Sequence, residues 1–317
     1  MKDDRPIVLL LAIGLDLVLG EPPWRWHPVA WMGRAIAAMQ SRAPRSGPLA
    51  ELVFGTGVAM GGALSSAAAG LLLRQLLAWL PLPLRWSAEA ALLKSLLAVR
   101  CLADAGSDVE RALRVGDLPA ARRLAGWHLV SRDTSELDAA QVAAATIESV
   151  AENSSDSIVA PLFYYALGGL PAVMAYRFLN TCDAMLGYRD AAREWLGKVP
   201  ARLDDIVNLL PARLTALLLV MAAYLTGEDG ANAWRVWRQD AAETASPNAG
   251  HPMSAMAGAL GVSLEKVGHY RLGSGQAAPT AADIVRAARL MYTVTALATG
   301  FFALFGLVQF LRRGHGR

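Results

Sequence analysis

Apolar positions along the chain fall into two kinds of run. Leu52–Leu73 and Leu290–Leu311 contain no charged residue, and each exceeds the roughly 20 apolar residues that a helix needs to span a bilayer. The other runs are short or interrupted. Pro6–Gly20 contains Asp16, 75–84 is broken by Pro81 and Pro83, and 157–176 is divided by Pro161, Gly168, Gly169 and Pro171. The stretch 214–227 is clean but short. Broken apolar segments are tolerated at membrane depth only where protein or a water-filled cavity covers the freed backbone. The pattern therefore predicts that 157–176, and with it 6–20, enter and return or lie within a helical bundle.

Between these runs lie polar segments with helical spacing, the largest being Trp86–Ser157. Ser87 is placed to cap a helix holding Leu92, Leu93, Leu96 and Leu97. "GDLPAARRL" reads as a stop and restart, with Asp117 as N-cap and Pro119 in the first turn. "DTSELD" starts a further helix, with Ser135 and Asp138 near capping-box spacing. In that helix Leu137, Ala140, Ala144, Ile147 and Ala151 form one packed stripe. No strand alternation and no repeat period occur. The predicted fold is an all-α, polytopic integral membrane helical bundle with re-entrant or broken helices and extramembrane helical insertions. It is expected as a single membrane-embedded domain over 1–317 that includes 86–157 as its polar insertion.

Composition supports this. Hydrophobic residues make up 54% and charged residues 18%, and mean hydropathy is +0.32, which leans towards a membrane protein. Net charge is +3 and the pI about 9.0, but Lys and Arg are scattered among nearly as many acids, without the basic stripe of a nucleic-acid binder. The two cysteines, Cys101 and Cys182, make neither a disulfide framework nor a CxxC zinc motif. "MKDDRPIVLLLAIGLDLVLG" lacks an A-x-A-like cleavage site, so it is expected to be retained. The terminal "RRGHGR" places its end of the last span in the cytoplasm by the positive-inside rule.

Candidate chemistry gathers where polar and apolar runs meet. Glu148, Glu152 and Asp156 fall at i, i+4 and i+8, one helical face if the helix continues. Like charges at this spacing destabilise an isolated helix slightly; a solvated face absorbs that, but carboxylates near a membrane interior call for an arginine, a metal or a ligand. Asn180 and Asp183 lie between Arg177 and Arg189, and Asp204 and Asn208 between Arg202 and Arg213. Asp240 precedes a Ser-Pro-Asn-Ala-Gly turn. "GEPPWRWHPVAWMGR" brings Glu21, His27 and Arg34 among three tryptophans that also suit an interfacial aromatic belt. Each group alone reads equally as capping and surface pairing. Together, oxygen-rich clusters suit Mg²⁺ and arginines suit phosphate. There is no P-loop, no G-x-S-x-G and no H-E-x-x-H. A non-catalytic membrane sensor and a secondary transporter stay open as rivals.

As a set, "DLVLGEPPWRWHPVAWMGR", "GDLPAARRL" with "SRDTSELD", "ESVAENSSDSIVAPLFYYALGG", "NTCDAMLGYRD", "RLDDIVNLLPARLT" and "SPNAGHPMSAMAGALG" cover most of the chain. In that order they resemble the CobD/CbiB family of cobalamin biosynthesis, the adenosylcobinamide-phosphate synthases. The chain departs from the family pattern at Glu21, where Asp is usual, and at Met253, where an acidic residue is frequent.

The resemblance implies a multi-pass enzyme of the bacterial cytoplasmic (inner) membrane. It would use ATP, with Mg²⁺, to join the free carboxylate of adenosylcobyric acid to aminopropanol or its phosphate. It also implies the lipid bilayer as surroundings, no nucleic-acid partner, and a homo-oligomer or a complex with later cobalamin-pathway membrane enzymes. Within that reaction Glu152, Asp156, Asp183 and Asp204 are the expected catalytic and metal-binding residues. Arg132, Arg189, Arg202 and Arg213 are expected on phosphate. Asn153, Asn180, Asn208, Asn248 and His27 are expected on substrate.

Overall fold

A computed structural model describes residues 4–44, 46–130, 133–188 and 193–314. Most of it is helical, with twelve α-helices, one 3₁₀ turn, one π-turn and a two-stranded hairpin among the described residues. Four helical stretches are long and apolar enough to cross a membrane: Pro48–Leu77, Ala139–Leu186, Lys198–Thr226 and Ala281–Val308. The protein is an all-α polytopic membrane bundle. Only two full-length spans were expected, because charged residues at the start of the third stretch and the proline and glycines in the second hide their length.

The chain divides into two compact units interleaved in sequence: residues 1–98, 160–207 and 299–317, and residues 99–159 and 208–298. In the first unit α1 (Arg5–Leu19) packs on α4 (Leu82–Lys94), and α2 (Pro28–Gln40) and α3 (Pro48–Leu77) pack on α8 (Ala160–Leu186). Contact between α3 and α8 depends on small residues. A Cβ at Gly62 would strike the Phe178 ring at 2.0 Å, and one at Gly70 would meet the Pro171 backbone at 2.7 Å. Without a hydrophobic force between helices in lipid, such close approach supplies the dispersion contacts. α3 also exposes Leu64, Leu71, Leu72 and Leu76, an apolar exterior suited to acyl chains. α4 begins at Leu82 after Pro81, not at a Ser87 cap, and Leu96 and Leu97 lie beyond its end.

In the second unit α5 (Val99–Arg114), α6 (Leu118–His128) and α7 (Ala139–Ser154) pack on one another. α5 buries Val99, Leu102, Ala103, Gly106, Val109 and Ala112, the stripe of an amphipathic helix. Asp117 caps α6 as expected, accepting from the Ala120 N–H at 2.9 Å. Ser135 does not cap α7. Its N–H and hydroxyl donate to Asp133 at 2.9 and 3.0 Å, and those bonds hold the Asp133 carboxyl below the usual range. The helix starts instead with an Asp138–Gln141 capping box. α10 (Gly230–Asp240) and α11 (Gly250–Leu260) approach closely at Gly258, and the hairpin of β1 (Leu264–Lys266) and β2 (Tyr270–Leu272) packs against α7 and α11. α9 (Lys198–Thr226) and α12 (Ala281–Gly314) complete the helices.

The expected break in 157–176 is present, but it does not end the helix. The path from Ala139 to Leu186 passes through a π-turn at Ser155–Val159 and a kink at Gly169, whose φ of 68° suits only glycine. Pro171 follows the kink, as freed backbone permits.

Candidate functional site

The three carboxylates spaced along α7 and the π-turn that follows it differ in burial. Glu148 is buried, Glu152 is exposed, and Asp156 is half-buried inside the π-turn. The regular 3.6-residue period ends after Ser154, so Asp156 follows the geometry of the π-turn. Asn153 lies between them. Its amide donates to the Ser149 carbonyl at 3.0 Å, and its oxygen accepts from the Ser157 hydroxyl at 3.2 Å. Ser155 Oγ is buried with no hydrogen-bond partner among the described residues. Single π-turns of this kind concentrate at functional sites.

A second group sits in the first unit. Arg177 on α8 donates from Nη1 to Asn180 Oδ1 at 3.1 Å, and Asn180 Nδ2 donates to Asp204 Oδ1 at 3.3 Å. Cation, amide and carboxylate thus form a row between α8 and the start of α9, with Asp204 buried. Asp183 is half-buried, one turn along α8 from Asn180. Its side chain lies against Gly187, where a Cβ would meet Oδ1 at 2.0 Å. Arg202 is exposed, 3.5 Å from Asp205, and lines a polar cavity of about 140 Å³ with Lys198 and Glu194. Asn208 is fully buried one turn beyond Asp204. Arg132 and Arg189 lie outside the described residues.

The N-terminal loop of the same unit is tightly held. His27 Nε2 and Glu21 Oε2 are 2.5 Å apart, and both side chains are largely covered. Trp31 Nε1 donates to the Arg25 carbonyl at 2.8 Å, and the Trp26 N–H to the Pro23 carbonyl at 2.8 Å. The buried Lys94 ammonium donates to the Gly20 carbonyl. Next to this loop, an apolar cavity of about 880 Å³ is lined by Pro28, Trp31, Gly61, Leu96, Met174 and Phe178, a size usual for small-molecule sites. Glu89, also buried, accepts from the Tyr165 hydroxyl at 2.8 Å. Lys94 and Glu89 were not singled out from the sequence, where they fall in an unremarkable polar segment; only packing buries them.

In the second unit Arg213 Nη1 donates to the Leu209 carbonyl at 2.9 Å and to Asn248 Oδ1 at 3.1 Å, and Nη2 donates to the Pro247 carbonyl at 3.5 Å. Asn248 is buried. Ser246 Oγ accepts from the Asn248 and Ala249 N–H groups at 3.2 and 3.3 Å, closing the Ser-Pro-Asn-Ala-Gly turn. Gly250 is obligatory there, since a Cβ would meet the Ala241 carbonyl oxygen at 2.2 Å. Asp240 accepts from the Gly273 N–H at 2.7 Å. Among the described residues no group of three or more His, Cys, Asp or Glu is arranged to hold a metal ion.

A family model described as CobD/Cbib protein matches residues 9–291. The chain belongs to the CobD/CbiB family. It is 44% identical to the cobalamin biosynthesis protein CobD of Chromobacterium violaceum, over 96% of this chain and 98% of that one. It is 42% identical to the probable cobalamin biosynthesis protein CobD of Methanothermobacter thermautotrophicus, over 84% and 86%. The CbiB protein of Salmonella typhi is 39% identical over 91% and 93%. No solved structure matches.

Proposed function

We propose that the protein is an adenosylcobinamide-phosphate synthase of the bacterial cytoplasmic membrane. It would join the free carboxylate of adenosylcobyric acid to aminopropanol or its phosphate, at the expense of ATP. The observation that carries this reading is the Arg177–Asn180–Asp204 row, in which a cation, an amide and a carboxylate are linked inside an apolar unit, in a family of cobalamin biosynthesis proteins.

Amide formation first needs an activated acyl group. The substrate carboxylate attacks a phosphorus of ATP, and ADP or pyrophosphate leaves. The amine then attacks the carbonyl carbon, phosphate or AMP leaves, and the nitrogen gives up a proton. The protein's part is charge stabilisation and positioning. Mg²⁺ is ordinarily held by one or two carboxylates plus substrate phosphates rather than by a protein cage. Glu152 and Asp156 in the second unit, or Asp183 and Asp204 in the first, would hold it in that mode. When bound with the nucleotide, the metal would offset phosphate charge. Arg177, Arg202 and Arg213 supply cations, and Asn153, Asn180, Asn208 and Asn248 suit the amide-rich corrinoid rim. The Glu21–His27 pair suits removal of the amine proton, because the carboxylate fixes the ring through Nε2 and leaves Nδ1 as acceptor.

The test is the purified full chain with adenosylcobyric acid, ATP, Mg²⁺ and either amino alcohol, followed by mass detection of the amide. ATP-dependent product is expected. No product with either amine overturns the reading, and corrinoid counterflow in its place would make the protein a transporter.

A further inference from the structure

Across its kink α8 reads Ala166-Leu167-Gly168-Gly169-Leu170-Pro171. In an unbroken helix the Leu167 carbonyl would accept from the N–H of residue 171, but proline has none. The Ala166 carbonyl looks to Leu170 across Gly169, whose φ of 68° and ψ of −156° break the helical ladder. At membrane depth such freed groups persist only where a neighbour satisfies them. The neighbour is Arg5, the first residue of α1. Its Nη1 donates to the Ala166 carbonyl at 2.6 Å and to the Leu167 carbonyl at 3.1 Å. These carbonyls close the C-terminal end of the first arm of α8, where the helix dipole also favours a cation.

The bend is a reversal of direction. Tyr164, before it, and Tyr176, after it, stack with ring centroids 4.9 Å apart. A straight helix would set their Cα atoms about 18 Å apart, too far for stacked rings. Contacts with α9 agree. The Tyr164 hydroxyl donates to the Val207 carbonyl at 2.8 Å, and Asn180 Nδ2 donates to Asp204 Oδ1 at 3.3 Å. Tyr164 and Asn180 would lie about 24 Å apart on a straight α8, yet they meet α9 within one turn. Both arms therefore return to the same stretch of α9, and the second arm carries Arg177 and Asn180. The angle between the arms decides where those two side chains meet Asp204.

We propose that Arg5 is a positioning residue: by clasping the carbonyls freed at the α8 tip it holds the two arms folded back on each other, and so holds Arg177 and Asn180 against Asp204. This deepens the synthase reading and rests on it only for the reaction that the Arg177–Asn180–Asp204 row serves.

The experiment is amide hydrogen exchange of the full chain in detergent, read by peptide mass, alongside the amide-formation assay. Arg5→Met keeps a long side chain but cannot donate. Exchange over 160–176 is expected to rise by about tenfold, the scale of a hydrogen bond to a charged group, with peptides from α5 and α6 unchanged. In the assay kcat should fall by about tenfold at constant KM for ATP, because the row is displaced rather than removed. Arg5→Lys keeps the charge and a donor and should recover most of both. Pro171→Ala returns an N–H to position 171, so adding Arg5→Met to it should raise exchange by less than about threefold. Unchanged exchange over 160–176 in Arg5→Met overturns the proposal. So does a rise spread evenly over the chain, or an equal rise with and without Pro171→Ala. Local loosening of 160–176 in a protein that makes no amide would retire the synthase reading and leave the clasp standing. Amide formation with Arg5→Met indistinguishable from wild type in exchange would do the reverse.

Discussion

His27 and His251 are the same chemical word in two places. Each is followed by proline, each is half-buried, and each stands at the start of a helix. Their partners are opposite. A carboxylate faces Nε2 of His27, whereas an indole N–H faces Nδ1 of His251. In the first ring Nε2 is taken up by Glu21, and Nδ1 is the nitrogen left over. The second ring accepts from Trp237 and is also hydrogen-bonded to the Pro247 carbonyl. The tautomer, and with it the usable chemistry, is written by a neighbour and not by the His-Pro dipeptide. The arginine–asparagine pairs repeat the lesson. Arg177–Asn180 and Arg213–Asn248 both span 3.1 Å, but the first row ends on the Asp204 carboxylate and the second on neutral carbonyls.

The contrast can be broken at four points. Glu21→Gln removes the carboxylate that makes His27 an acceptor, and amide-formation turnover should fall by roughly 100-fold or more. Glu21→Asp, the residue usual in the family, should keep most of the rate. Arg213→Gln should raise the KM for the phosphorylated substrate by about tenfold in steady-state assays. Arg177→Met instead strips Asn180 of its donor within an apolar unit and should lower unfolding free energy by about 1–3 kcal/mol in denaturant titrations. The third test is acid. The folded pKa of His251 lies below the ordinary 6.5, so the native state favours the neutral ring. Its contribution to stability is complete above 6.5 and is lost as pH falls through the folded value. The drop in unfolding temperature below pH 6.5 should therefore be shallower in His251→Gln. The smallest effect is expected from Trp237→Phe, which removes one half-buried hydrogen bond to His251 and should lower unfolding free energy by about 1 kcal/mol in denaturant titrations.

Much of the architecture could be read directly. α3 and the second half of α12 contain the two clean apolar runs, Asp117 caps as its spacing requires, and the glycine pair at 168–169 marks a real kink. The family was legible in the ordered motifs. Three features were not. α9 runs unbroken through Pro211, because one proline removes one hydrogen bond and a long packed helix absorbs that loss. A π-turn at Ser155–Val159, invisible to a fixed 3.6-residue period, takes in Asp156 and leaves Glu148 and Glu152 in the regular helix before it. Lys94 and Glu89 look like ordinary surface charges until α1 and α8 bury them.

Local chemistry alone determined that this chain is helical, apolar enough for a bilayer, and polar at the ends of its apolar runs, since period, length and capping depend on near neighbours. Tertiary structure alone decided which of those polar groups are buried, which partner faces the rings of His27 and His251, and which arginine has a carboxylate in its row. The deciding partners lie 6 residues apart for Glu21 and His27, 14 for Trp237 and His251, 24 for Asn180 and Asp204, and 76 for Glu89 and Tyr165. The strength of a buried charge or hydrogen bond depends on what folding brings against it.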